Sequence, residues 1–145
     1  MCTSVAVRVK LRIKGESREV VTSALINSDF EAEEPQLVIS PKLAEALGPT
    51  LADASIEDFG TAGGSRVSGY RLGSPSEVEL VLDDRKPLKA VAHITILPGE
   101  SETIMSDRLA SELGITILDI WKGYWCLRDE LGTKQRPSST PEEWN

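Results

Sequence analysis

The sequence predicts an all-β barrel domain with two short helices and an internal repeat. Three observations support this prediction. Short segments of alternating apolar and polar residues recur along the chain, turns rich in glycine, proline or charge separate them, and two helical segments match each other. Many short strands at regular spacing are typical of a sandwich or barrel. The length of 145 residues is that of one domain.

The first half of the chain predicts a hairpin, a short strand and a helix. The predicted segments are, in order, a strand at 5–13 with one solvated face, a turn at 14–17, a strand at 18–26, an acidic loop at 27–35 and a strand at 36–39. The helix that follows has Ser40 as a natural N-cap and Pro41 at its first position. Gly48 suits the end of this helix.

The second half repeats this order. The predicted segments are a strand at 77–82, a charged turn at 83–87, a strand at 88–97, a loop at 98–102, a short apolar segment at 104–105, a helix at 106–113 and strands at 115–118 and 124–128. Residues 38–48 read VISPKLAEALG, and residues 104–114 read IMSDRLASELG. The two segments align with each other without an insertion or deletion. Because order and spacing agree together, we interpret the two halves as an internal duplication.

The regions outside the two copies predict a hairpin and a tail. Residues 59–69 are rich in glycine and small polar residues, which indicates a hairpin or loop. A phosphate-binding loop is disfavoured there, because neither the glycine spacing nor the context fits. Residues 131–145 are polar and contain prolines, so the sequence predicts a domain at 1–130 and a disordered tail at 131–145. Trp144 in this tail is either accidental or a docking residue for a partner or for the domain itself.

Composition excludes several classes of function. The net charge is −7 and the basic residues are scattered, which argues against nucleic-acid binding. No apolar run approaches the roughly 20 residues of a membrane span, and no signal peptide is recognisable, so we expect a cytoplasmic protein and no membrane partner. Cys2, Cys126 and His93 do not have the spacing of a zinc site, and we expect no metal and no cofactor. Cys126 reads as a small, buried strand residue, and His93 as a partly buried one.

In this order of segments the chain resembles the retropepsin-like aspartic protease family, whose prokaryotic members are small single-domain proteins. Residues 24–30 read ALINSDF where the family has an apolar strand running into Asp-Thr/Ser-Gly. The glycine-rich residues 59–69 match the flap hairpin, residues 104–115 match the second apolar segment and helix, and residues 123–128 match the closing strand. The resemblance covers roughly residues 5–130. It implies an acid-protease-type barrel with an internal pseudo-two-fold repeat, two short helices and a flap hairpin.

The resemblance also implies the site residues and their chemistry. Asn27 stands at the position of the catalytic aspartate, Ser28 at the Thr/Ser, and Asp29 at the glycine of the motif, while Ser106 replaces the second-half glycine. The flap residues that would contact a peptide are Thr61, Ala62, Gly63 and Gly64. Such a protease dimerises so that two aspartates about 3 Å apart share one proton. An asparagine keeps the size and hydrogen bonds of aspartate, but its amide does not act as a general base.

The expected function is therefore that of a catalytically inactive homologue: a homodimer that binds an extended peptide or has a structural role. One alternative is an active aspartic endopeptidase with an unusual dyad based on Asp29. Another is a small β-barrel interaction module unrelated to proteases. A serine-protease mechanism through Ser28 is disfavoured, because His93 is the only histidine and lies within a predicted strand.

Overall fold

Ten β-strands and two short helices make up the part of the chain that the structure, a computed structural model, describes: residues 6–15, 18–27, 33–48, 55–60 and 66–145. The predicted all-β class is confirmed. The strands are β1 (Arg8–Lys14), β2 (Glu19–Ile26), β3 (Gln36–Ile39), β4 (Ser55–Gly60), β5 (Arg66–Arg71), β6 (Ser76–Leu80), β7 (Leu88–Ile96), β8 (Thr103–Met105), β9 (Ile115–Asp119) and β10 (Tyr124–Leu127). The helices are α1 (Pro41–Leu47) and α2 (Asp107–Glu112), and a 3-10 turn spans Arg128–Glu130.

Six of these strands close into a barrel. Their order is β3-β8-β2-β1-β6-β7, and β7 pairs back with β3. The hairpins β1–β2 and β6–β7 are antiparallel, β2–β8 and β3–β7 are parallel, and β1–β6 and β3–β8 are antiparallel. The hairpin β4–β5 joins the barrel where β5 pairs with β7. Closure matters because it pairs strand edges that would otherwise be open to other chains.

The barrel interior follows from the alternation of residues along β1. Val9, Leu11 and Ile13 are fully buried, whereas Lys10 between them is exposed. The predicted strand with one solvated face is therefore confirmed. The largest fully buried side chains from the other elements are Leu37, Ile39, Leu43, Leu47, Leu80, Ile94, Met105, Leu109, Leu113 and Leu127. These apolar side chains are the main source of the stability of the barrel, since each contributes roughly 1.5–3 kcal/mol when fully buried.

Both helices begin as the sequence predicts. The hydroxyl of Ser40 accepts a hydrogen bond from Leu43 N at 3.1 Å, and that of Ser106 accepts one from Leu109 N at 3.2 Å. Gly48 ends α1 with φ of 70°, in the left-handed region that favours glycine. Among the described residues, neither of these short helices has the length and apolar character needed to cross a bilayer.

The hairpin β9–β10 packs outside the barrel and contains Cys126. The thiol is free and fully buried, in agreement with its interpretation as a small strand residue. Burial raises the pKa of this thiol, which keeps it in the unreactive protonated form at neutral pH.

The C-terminal segment, for which the sequence predicts a disordered tail, is hydrogen-bonded to the domain. The backbone of Arg136 forms two hydrogen bonds with the backbone of Trp125, as in an antiparallel bridge. The Arg136 guanidinium lies 5.6 Å from the centre of the Trp125 ring. The same guanidinium donates to Glu130 at 2.6 and 2.9 Å and to Asp84 at 3.0 Å. This contact with Arg136 lowers the pKa of Glu130 to about 2. Polar composition indicates disorder only when polar groups lack fixed partners, and here they have them.

Candidate functional site

The end of β2 positions Asn27, the residue at the expected catalytic position. Asn27 follows the last residue of the strand and is half-buried. Its backbone N–H donates to the carbonyl of Met105 at 3.2 Å, which continues the parallel pairing of β2 with β8. The residue that follows β2 therefore lies beside the last residue of β8.

Ser106, the residue that replaces a glycine of the family pattern, has a structural role in this arrangement. Its buried hydroxyl caps α2 and also accepts a hydrogen bond from Gln36 N at 3.0 Å, while its own N–H donates to Gln36 O. A glycine would leave the helix cap and the Gln36 N–H without this acceptor. The serine thus joins the start of β3 to the start of α2 next to the end of β2.

The described end of the acidic loop, residues 33–35, is attached to three other elements. Glu34 accepts a hydrogen bond from Arg71 of β5 at 2.7 Å and lies 3.1 Å from His93 Nε2 of β7. The contact with Arg71 lowers the pKa of the Glu34 carboxyl. The carbonyl of Glu33 accepts from Arg108 of α2 at 3.1 Å. The chain that leaves Asn27 is therefore fixed at its far end to the base of the hairpin β4–β5.

The hairpin β4–β5 is attached to the barrel through the end of β5. Six residue pairs connect β4 and β5 in antiparallel register, and Tyr70 and Arg71 at the end of β5 pair with Ile96 and Thr95 of β7. The predicted flap residues Thr61, Ala62, Gly63 and Gly64 lie between the two strands, outside the described residues. Ser28 and Asp29 also lie outside the described residues, so Asn27 is the only predicted site residue with a described position.

An apolar cavity of about 400 Å³ opens at the base of this hairpin. Tyr70 of β5, Ile96 of β7 and Pro98 form one side of it. The remaining lining residues are Pro41, Ala44, Glu45 and Gly48 of α1 and its ends. Sequence reasoning missed this cavity, because its walls come from a helix, two strands and a loop that are distant in the chain. The nearest signal was the exposed aromatic Tyr70 beside the glycine-rich segment.

Asn27 and His93 are two polar residues whose chemistry bears on the candidate site. An amide at residue 27 does not titrate in the physiological range, so it can orient a ligand but cannot withdraw a proton. His93 is 26% exposed at its side chain and lies in β7, as predicted, with its Nε2 next to Glu34. Within the described ranges, no group of three His, Cys, Asp or Glu residues has a geometry suited to a metal ion.

Comparison of the chain with protein-family models and with curated proteins finds no match.

Proposed function

We propose that this protein is a retropepsin-like aspartic protease homologue without protease activity, which binds an extended peptide as a homodimer. The arrangement of the barrel supports the fold part of this proposal. The proposed repeat relates β1, β2 and β3 to β6, β7 and β8. Under that relation the hairpin β1–β2 corresponds to the hairpin β6–β7, and the parallel pair β2–β8 corresponds to the parallel pair β7–β3. The pairs β1–β6 and β3–β8 each contain one strand from each half, so the relation exchanges their two strands.

The ends of the corresponding strands support the same relation. Asn27 N donates to Met105 O after β2, and Leu97 N donates to Ile39 O after β7. Both helices are capped by a buried serine in the same way. In this relation Asn27 occupies the place of the family aspartate, where an amide cannot act as general base. The absence of a titratable group at this residue supports a function other than hydrolysis.

The observation that carries the peptide-binding part is the apolar cavity under the hairpin β4–β5. Its size suits one or two apolar side chains, and its walls include the last residue of β7. An extended peptide that passes beneath the hairpin could place a side chain there while its backbone pairs with a strand edge. Glu45 and the hydroxyl of Tyr70 are the polar groups available at this cavity.

A binding titration tests this proposal. We expect fluorescently labelled β-casein, an unfolded protein that supplies many extended segments, to bind the full-length chain saturably, as measured by fluorescence anisotropy. Tyr70→Ala should weaken binding at least fivefold, because it removes one wall of the cavity. The matched control is Ile56→Ala, the cross-strand partner of Tyr70, which is 70% exposed and does not line the cavity. Equal effects of the two substitutions, or no binding by the unmodified chain, would contradict the proposal.

The homodimer is the second part of the proposal, and the hairpin β9–β10 is the surface we assign to it. Ile117, Leu118, Ile120 and Trp121 are 38–72% exposed on this hairpin. Exposed apolar clusters of this kind are typical of protein interaction sites. In the two-stranded sheet β10-β9, an outer edge of β9 is available to a second copy. We also place this function in the cytoplasm, where the free thiol of Cys126 would stay reduced.

Sedimentation velocity at micromolar concentration tests the dimer. We expect the full-length chain to sediment as a dimer and Leu118→Asp to sediment as a monomer, because the substitution puts a charge into the apolar surface. Val91→Asp, at a similarly exposed position on β7, is the matched control and should remain dimeric. Sedimentation of the unmodified chain as a monomer would contradict the proposed homodimer.

A further inference from the structure

The end of the C-terminal segment makes specific side-chain contacts with the first part of β2. The backbone N–H of Ser23 donates to the Glu142 carboxylate at 3.0 Å, and Glu142 N donates back to the Ser23 hydroxyl at 2.9 Å. The indole N–H of Trp144 donates to the Thr22 hydroxyl at 2.9 Å. Trp144 N donates to Ser101 O at 2.7 Å, and its ring packs against the hydrophobic core.

We propose that the first part of β2 is a peptide-binding site for an extended segment with a carboxylate two residues before an indole. The chain's own residues 138–145 occupy this site as an intramolecular ligand.

The burial of the two hydroxyls on β2 supports this inference. Thr22 and Ser23 are both fully buried with the C-terminal segment in place, and Thr22 shares the interior face of the barrel with Leu11, its partner on β1. A buried hydroxyl without a partner costs about 1–3 kcal/mol. The partners are supplied by Glu142 and Trp144, and Thr22 in turn donates to Ser23 O at 3.1 Å. The polar groups of β2 are therefore matched to the groups of this one segment.

The strand pairing explains why β2 can bind an extended segment at Ser23. In the described register, β8 pairs with β2 over Ala24–Ile26. Ser23 is the next residue, and its N–H points to the open edge, where the Glu142 carboxylate takes the place of a strand carbonyl. Recognition of an extended segment by a strand edge combines such a backbone contact with side-chain pockets.

A groove of about 390 Å³ lies between the end of the segment and α1, and Trp144 and Asn145 form one side of it. Pro41 and Glu45 line both this groove and the apolar cavity near β5.

This site is separate from the position of Asn27. Thr22 precedes Asn27 by five residues of strand, which corresponds to roughly 16 Å. The inference does not depend on the proposed function, and its test involves neither the hairpin β4–β5 nor residue 27.

The test uses a fluorescein-labelled synthetic peptide with the sequence of residues 138–145, SSTPEEWN, and full-length protein variants. In Trp144→Ala the intramolecular ligand loses its anchor, so we expect this variant to bind the peptide saturably in an anisotropy titration. The unmodified chain should bind at least about tenfold more weakly, because a tethered segment competes at an effective concentration of order millimolar. Val91→Ala, which shortens an exposed side chain of β7 outside the assigned dimer surface, is the control and should behave as the unmodified chain.

Further variants identify the contacts. A peptide with alanine in place of its tryptophan should lose binding to Trp144→Ala, and so should the unmodified peptide with the double variant Thr22→Val and Trp144→Ala. Circular dichroism verifies that each variant is folded, and if Trp144→Ala is not, Glu142→Ala serves in its place. Absence of saturable peptide binding to the folded variant would overturn the proposal, as would equal binding to Trp144→Ala and Val91→Ala. Either result would leave residues 138–145 as a fixed part of the domain.

Discussion

The ends of β2 and β7 have the same backbone arrangement and different chemistry. After β2, Asn27 N donates to Met105 O, and after β7, Leu97 N donates to Ile39 O. The first end carries an amide and leads into an acidic loop, whereas the second leads into Pro98 and Gly99 beside the apolar cavity. Backbone hydrogen bonds and buried apolar residues determine this arrangement, so the side chains that follow the two strands can differ while the backbone arrangement stays the same.

The two serine caps extend this comparison. Ser40 and Ser106 both cap a short helix, but the hydroxyl of Ser106 also accepts the N–H of Gln36 from the other half of the barrel. One residue type thus has a local role in the first half and connects the two halves in the second.

The largest expected effect comes from these caps. Loss of a serine N-cap costs about 1 kcal/mol, and a part-buried N–H left without an acceptor adds about 1–2 kcal/mol. We expect Ser106→Ala to lower the free energy of unfolding by about 2–3 kcal/mol and Ser40→Ala by about 1 kcal/mol. Urea denaturation measures both. Equal losses would show that the contact with Gln36 contributes nothing to stability.

The two glycines that follow the helices should behave alike. Gly48 has φ of 70° and Gly114 has φ of 79°, and a Cβ on either would meet no atom closer than 3.9 Å. The cost of alanine therefore comes from the left-handed backbone, at about 1 kcal/mol for each position. Thermal unfolding of Gly48→Ala and Gly114→Ala should give shifts of similar size, and a large difference would break the correspondence between the two helix ends.

The smallest effect is a pH dependence at the β1–β6 contact between the halves. Hydrogen bonds from Lys14 and Arg12 lower the pKa of Glu79 to about 2 from its ordinary value of 4.5. A carboxyl with a lowered pKa stabilises the folded state above its unfolded pKa, and this contribution is lost as the pH falls from about 4.5 to 2. Glu79→Gln should therefore reduce stability at neutral pH and flatten its decline over this range. Urea midpoints between pH 2 and 6 measure the slope, and an unchanged slope would contradict this role of Glu79.

Much of the barrel could be predicted from the sequence, because its signals are local. The alternation along β1 and the capped ends of α1 and α2 indicate these elements within a few residues. For the C-terminal segment the sequence predicts disorder and gives docking of Trp144 onto the domain only as one alternative, and the structure confirms that alternative. The contact could not be located from the sequence, since Trp144 and Thr22 are far apart in the chain and joined by one hydrogen bond. The apolar cavity was missed for the same reason. The candidate role of Asn27 rests on the resemblance alone and stays a prediction, whereas its contact with Met105 follows from the parallel pairing of β2 with β8.

We propose that the barrel retains the frame of an acid protease although the amide of residue 27 cannot support catalysis. The most direct measurement is hydrolysis of an unfolded protein substrate between about pH 3 and 7, the range in which carboxylates and histidine titrate, for the full-length chain and for Asn27→Asp. We expect no cleavage by the unmodified chain and measurable cleavage by Asn27→Asp, which places a carboxylate at the end of β2. Cleavage by the unmodified chain that is lost in Asp29→Ala would contradict the proposal and identify Asp29 as the acid of an active protease.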